Sequence, residues 1–201
     1  MRKTLLTSLL WMVPASALAE KHELGLTLGG FFAHDRGTAP NTVRLSGGTA
    51  LQANYGYRFG GSDVAALYGE VHFLANGQRV VGSGQAAATR DVATAYVTPG
   101  VRVKFVPNAP VAPYFALGGG YALYEQSLVR IDGRPNEAPR FQHRGAFDFG
   151  GGVDVRFWRW LGLRGEIRDF YSGSPAFNLG GLGGGQHNVV AGGGFAIKWG
   201  E

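Results

Sequence analysis

Residues 146–171, AFDFGGGVDVRFWRWLGLRGEIRDFY, decide the fold. Phe147, Phe149, Gly151, Val153, Val155 and Phe157 alternate with Asp148, Gly150, Gly152, Asp154 and Arg156. After Trp158, Arg159 and Trp160, Leu161, Leu163, Gly165 and Ile167 alternate with Gly162, Arg164, Glu166 and Arg168. Successive side chains of a strand point to opposite faces, so two period-2 runs around a tight turn predict a β-hairpin. One of its faces is apolar or glycine. The other carries charges of both signs.

The same pattern recurs in both directions from this hairpin. Upstream, Leu24, Leu26 and Leu28 alternate with Gly25, Thr27 and Gly29, and Leu51, Ala53, Tyr55, Tyr57 and Phe59 with Gln52, Asn54, Gly56 and Arg58. Leu67, Gly69, Val71 and Phe73 oppose Tyr68, Glu70 and His72. Ala95, Val97, Val101, Val103 and Phe105 oppose Tyr96, Thr98, Gly100, Arg102 and Lys104, with Pro99 in the apolar set. Proline has no N–H for a ladder, so a bulge or kink is expected there. Phe115, Leu117, Tyr121 and Leu123 oppose Tyr114, Ala116, Ala122 and Tyr124. Downstream, Val189, Ala191, Phe195, Ile197 and Trp199 oppose Asn188, Val190, Ala196 and Lys198.

The count is eight strands, and their connections alternate long and short. Residues 33–48, 75–92, 129–145 and 172–186 are long, polar and glycine-rich; residues 60–63, 107–113 and 158–160 are short. Long external loops, short periplasmic turns and an even number of strands of about ten residues are the pattern of a membrane barrel. Glycine is abundant, at 34 of 201 residues, but 45% hydrophobic and 12% aromatic residues argue against disorder.

The first residues read MRKTLLTSLLWMVPASALAE. Arg2 and Lys3, an apolar run from Leu5 to Val13 and the small residues Ala17 and Ala19 predict a cleaved export signal over residues 1–19 and a barrel domain over residues 20–201. The apolar run is far shorter than the roughly 20 residues of a spanning helix. With no cysteine there is no disulfide and no thiolate metal site. Without Arg2 and Lys3 the 19 basic residues become 17 against 14 acidic ones, and no basic run or recognition helix suggests nucleic acid.

The charged strand residues lie opposite the apolar set, so one face of each strand is free of charge. Aromatics collect at strand ends, among them Phe59, Phe105, Phe157, Trp158, Trp160, Tyr171 and Trp199. Two aromatic girdles around an apolar band place the uncharged face against lipid. Trp158, Trp160 and Trp199 are then interfacial anchors. An eight-stranded lumen is just wide enough to be filled by side chains. Arg58, Glu70, Arg102, Lys104, Asp148, Asp154, Arg156, Arg164, Glu166, Arg168 and Lys198 are accordingly expected to form a paired interior rather than a conducting pore.

At VAPYFALGGGYALYE, FDFGGGVDVRFWRWLGLRGEIRDF and HNVVAGGGFAIKW the chain resembles the eight-stranded outer-membrane β-barrels that include OmpA-like, OmpX-like and opacity-type proteins. The resemblance implies an all-β, antiparallel, up-and-down transmembrane barrel in the cell outer membrane. It also implies lipid and lipopolysaccharide as surroundings, and the outer-membrane assembly machinery as a partner during biogenesis. The family's terminal strand usually ends on an aromatic residue, whereas Gly200 and Glu201 follow Trp199 here. The implied role is structural or surface interaction, such as envelope integrity or adhesion, carried by four external loops. The alternatives are a small porin-like channel and a hydrolase acting on lipid A.

Candidate chemistry is sparse. The triplets Gly118–120, Gly150–152 and Gly192–194 sit inside strands, without the Lys and the helix of a phosphate loop. No pair among His22, His34, His72, His143 and His187 has metal-ligand spacing, and no cofactor is expected. Ser172, Ser174 and His187 are the residue types of a Ser-His hydrolase, but no motif surrounds them, so the chain is read as a non-enzyme. Arg130, Arg134, Arg140 and Arg144 crowd one long segment. Their guanidinium forks suit lipopolysaccharide phosphates.

Overall fold

The computed structural model describes residues 21–37, 42–173, 175–180, 182 and 184–200. The expected signal segment, residues 1–19, lies outside them, as do Glu20, Ser174 and Glu201. Each period-2 run becomes a strand: β1 (His22–Ala33), β3 (Gly48–Gly61), β4 (Ala65–Ser83), β5 (Asp91–Phe105), β6 (Val111–Gln126), β7 (Phe141–Arg156), β8 (Leu161–Gly173) and β9 (Gly185–Trp199). A short β2 (Val43–Leu45) lies within the first long connection. Every pairing is antiparallel, β1 joins β9 and β4 joins β5, so the eight long strands close into a ring. The described residues contain no helix.

Closure follows from the pattern. Every backbone N–H and C=O within a bilayer must be paired internally, and a ring has no edge. The face assigned to lipid is outward on all eight strands and exposes Leu26, Leu28, Leu51, Val71, Val101, Phe115, Leu117, Leu163, Ile167 and Phe195. An apolar belt of that extent cannot be stable in water. It is the hydrocarbon-facing surface of a membrane barrel.

Three expectations about boundaries are corrected. Residues 75–92 are mostly strand, because β4 runs on to Ser83 and β5 begins at Asp91. The 19 residues of β4 exceed the ~9–11 that a tilted membrane strand needs, so its far end projects beyond the bilayer. β2 pairs with that projecting end, Val43 opposite Ser83 and Leu45 opposite Val81. Pro99 makes no bulge. It pairs in register with Val71 of β4, and the β5–β6 ladder skips Thr98 and Pro99 opposite Gly119 and Gly120 with equal residue counts on both strands. The register shifts fall elsewhere, between Arg58 and Gly60 and between Asn76 and Arg79.

The in-strand glycines permit close approach of neighbouring chains. At Gly194 an added Cβ would fall on the backbone of Leu26 and Thr27 across the β1–β9 pair. At Gly56 it would meet the guanidinium of Arg102. Glycine therefore admits both the strong curvature of a small barrel and the long side chains inside it.

Candidate functional site

The lumen divides into two sections. Nearest the short turns, Arg164 lays its fork on Asp154, with Nε donating to Oδ1 at 2.7 Å and Nη2 to Oδ2 at 2.8 Å. The same guanidinium reaches Glu23 and donates to Asn54. Lys104 donates to Glu23 and Asp154. One layer further, Arg168 donates to Asp148 at 2.8 Å, to Glu166 at 3.0 Å and to Glu70. Arg102 links the layers by ion-pair contacts with Glu23 at 2.7 Å and Glu70 at 3.1 Å, between the rings of Tyr68 and Tyr114. The Tyr114 hydroxyl donates to Glu166 at 2.6 Å.

Five carboxylates thus meet four cations, and none of the nine residues is more than 5% exposed. A buried charge without a partner costs several kcal/mol, so these groups hold one another in place. The His72 ring lies 3.9 Å from Glu70 and packs on Phe170 at 5.5 Å, where the charged section ends.

Beyond Phe170 the lining changes. Phe31, Leu74, Val92, Tyr96, Ala122, Tyr124, Phe170, Phe177 and Val190 form a buried apolar cluster with Val43, Leu45 and Val81. A chain of hydroxyls crosses it. Asn188 donates to the Tyr96 hydroxyl at 2.8 Å, which pairs with that of Tyr124 at 2.8 Å, and Tyr124 meets Ser172. Among the described residues, every buried acid belongs to the charged section and none to this one.

Two features stand out here. The Arg79 guanidinium is 1% exposed, and none of its three nitrogens has a hydrogen-bond partner among the described residues. It lies 4.1 Å over the Phe31 ring, a contact of about 2 kcal/mol when desolvated, and the neutral phenols of Tyr96 and Tyr124 stand near it. Phe177, from the last external connection, is fully buried with a left-handed φ of 50°, and Asn178 follows at 61°. Such backbone costs about 1–2 kcal/mol per residue and is cheapest at Asn.

The predicted site residues separate accordingly. Glu70, Arg102, Lys104, Asp148, Asp154, Arg164, Glu166 and Arg168 meet in the lumen. Among the described residues Arg58 and Arg156 make no ion pair with them, and Arg58, Arg156 and Lys198 all lie shallower, which corrects the expected deep interior set. They stand half-buried at the short-turn rim, where long side chains reach water; Arg156 donates to the Asn108 carbonyl at 2.6 Å. Glu23, Asn54 and Tyr114 belong to the network and were missed. Glu23 was legible, one step before Leu24 with inward parity. Arg79 was not, because the shift between Asn76 and Arg79 moves the inward positions of β4 from even to odd numbers.

On the external side, Arg130 and Arg134 flank Asp132 at 3.2 and 3.9 Å, and Arg140 pairs with Glu125. Arg144 donates to the His143 carbonyl at 2.9 Å and to Gln142 at 3.1 Å. Ser172 and His187 do not meet. Ser172 points into the lumen, whereas His187 stands on the outer wall with its Nδ1 2.6 Å from Asp169. Trp158 and Trp160 stack at 6.0 Å beside the β7–β8 turn, and Trp199 stacks on His22 at 5.7 Å. Among the described residues no three His, Asp or Glu side chains gather as a metal site.

The profile of a family described as outer membrane protein beta-barrel domain matches residues 4–195. Among solved structures, the outer membrane protein OprG from Pseudomonas aeruginosa superposes with a TM-score of 0.60 at 14% identity, covering 91% of this chain and 97% of that one. Neisserial surface protein A gives 0.51 at 13% identity, covering 89% and 97%. Both likenesses are of fold. No curated protein matches the sequence.

Proposed function

Given that this chain belongs to the outer membrane protein β-barrel family, and so to the cell outer membrane, we propose that it is a structural and surface-interaction protein whose working face is its external crown. The observation that carries this reading is the charged section of the lumen. Arg102, Lys104, Arg164 and Arg168 are locked to five carboxylates across the barrel, and a lumen filled with paired side chains supports a plug over a channel. Partners then meet the protein from outside or from the membrane.

On the crown, Arg134, Arg140 and Arg144 are the residues we assign to lipopolysaccharide. Arg134 and Arg140 are more than half exposed, and each has a single acid partner that a phosphate can replace. The test has two arms. Pure protein in a planar bilayer is expected to give no steady openings; ion-selective conductance would replace this reading with a channel. Changing Arg134, Arg140 and Arg144 together to Gln is expected to lower the lipopolysaccharide that co-purifies with each barrel and to raise detergent sensitivity. If both stay unchanged, the lipopolysaccharide assignment is lost.

A further inference from the structure

Arg79 presents a problem that the charged section does not. A guanidinium carries five N–H donors in one plane and is always charged. Stacking on Phe31 covers one face of that plane and leaves the in-plane edge, where the donors point, without an acceptor among the described residues. The amides of the same section do not supply one. Asn76 donates to the Thr49 carbonyl and Gln126 to the Pro139 carbonyl, while their own oxygens stay unbonded. The acceptor geometry that fits the edge of a guanidinium is the planar, bidentate carboxylate.

Phe177 supplies the second, independent observation. Its ring is buried in the same cluster as Phe31, Tyr96, Tyr124 and Phe170, held there by a left-handed backbone that a bulky residue adopts only under constraint. Besides the packing of Leu179 and Leu182 against the cluster, three hydrogen bonds tie the segment to its surroundings. Thr89 N donates to the Phe177 carbonyl at 2.9 Å, Asn178 Nδ2 to the Ala87 carbonyl at 2.7 Å and Ala176 N to Gln142 at 3.3 Å. Withdrawal of that short segment would free a ring-sized space in the cluster to which Phe31, Tyr96, Tyr124 and Phe170 belong. The charged section closes the lumen below, so whatever takes this space arrives from outside.

We infer that the external section of the lumen is a binding site for an aromatic carboxylate, with Arg79 gripping the carboxylate and Phe177 standing in the place of the ligand's ring. This goes beyond the surface-interaction role and does not depend on it, since a barrel without lipopolysaccharide contacts would keep the same cup.

The probe is 3-phenylpropionate, titrated calorimetrically into the full chain in lipid nanodiscs, with 3-phenylpropanol as the uncharged control. Saturable one-to-one binding of the acid is expected, weakened at least tenfold by Arg79→Met and partly restored by Arg79→Lys. Phe177→Ala, which vacates the ring site, should tighten it severalfold. The alcohol should bind the parent and Arg79→Met alike. Absence of saturable binding to the parent and to Phe177→Ala overturns the inference, as does equal affinity of the parent and Arg79→Met. If Phe177→Ala fails to assemble, as a lost heat-shift on a gel would reveal, the Arg79 Nε–H resonance of the parent decides. It should move on adding the acid, and an unmoved resonance at saturating probe overturns the site.

Discussion

Arg164 and Arg79 are both fully buried arginines on inward-facing positions of one barrel, yet their surroundings are opposite. Arg164 meets Asp154 through two parallel hydrogen bonds, reaches Glu23 with the same Nη2 and donates to Asn54 through Nη1. Arg79 has an aromatic ring under it, two phenols beside it and no hydrogen-bond partner among the described residues. One section of the lumen is saturated with complementary charge. The other is apolar, laced with neutral hydroxyls and amides, and holds in Arg79 a cation without an acid partner among the described residues. In the first, charge is internal packing. In the second, it is an unused capacity to bind.

That contrast can be broken by substitution. Arg164→Met leaves five buried carboxylates to three cations, with Lys104 as the one partner of Asp154 among the described residues, and is expected to cost about 3–5 kcal/mol, read as a lower urea midpoint of the barrel in lipid vesicles. An unchanged midpoint would mean that the charged section is not what closes the barrel. Gly194→Ala comes next, at ~1–3 kcal/mol, because the new methyl meets the backbone of Leu26 and Thr27 rather than a movable side chain. Gly82→Ala, whose methyl would come no closer than 3.7 Å to Arg44, is its control and should leave the midpoint in place. Smallest is Arg79→Met, expected to be neutral or to stabilise by about 1 kcal/mol, since it removes a desolvated charge that no acid repays. A loss comparable to that of Arg164→Met would erase the distinction between the two sections.

Much of this is legible in the sequence alone. Strict alternation assigns the inward and outward faces of all eight ring strands except the end of β4 beyond Asn76, and the long–short rhythm of connections gives their number. Most of the charged section followed from parity alone, because a charge opposite a lipid-facing residue has nowhere else to go. Legibility failed in three ways. Parity cannot tell a rim position from a buried one, so Arg58, Arg156 and Lys198 were grouped with residues deep in the lumen. Long polar segments read as loops even where they pair, as the end of β4 does with β2. And sequence alone does not say whether Ser172 and His187, which flank one loop, can meet; the wall of the barrel separates them.

The sequence by itself determined a closed antiparallel barrel with its apolar face to lipid, because period-2 patterning and the need to pair every backbone group in a membrane allow little else. Only the tertiary structure decided which charges find partners. Ion pairs such as Glu23 with Arg164 join residues far apart in the chain, and their meeting depends on how far each strand is staggered around the ring. The place of Arg79 depends on a single shift within β4, which turns its side chain inward to a section with no acid to receive it.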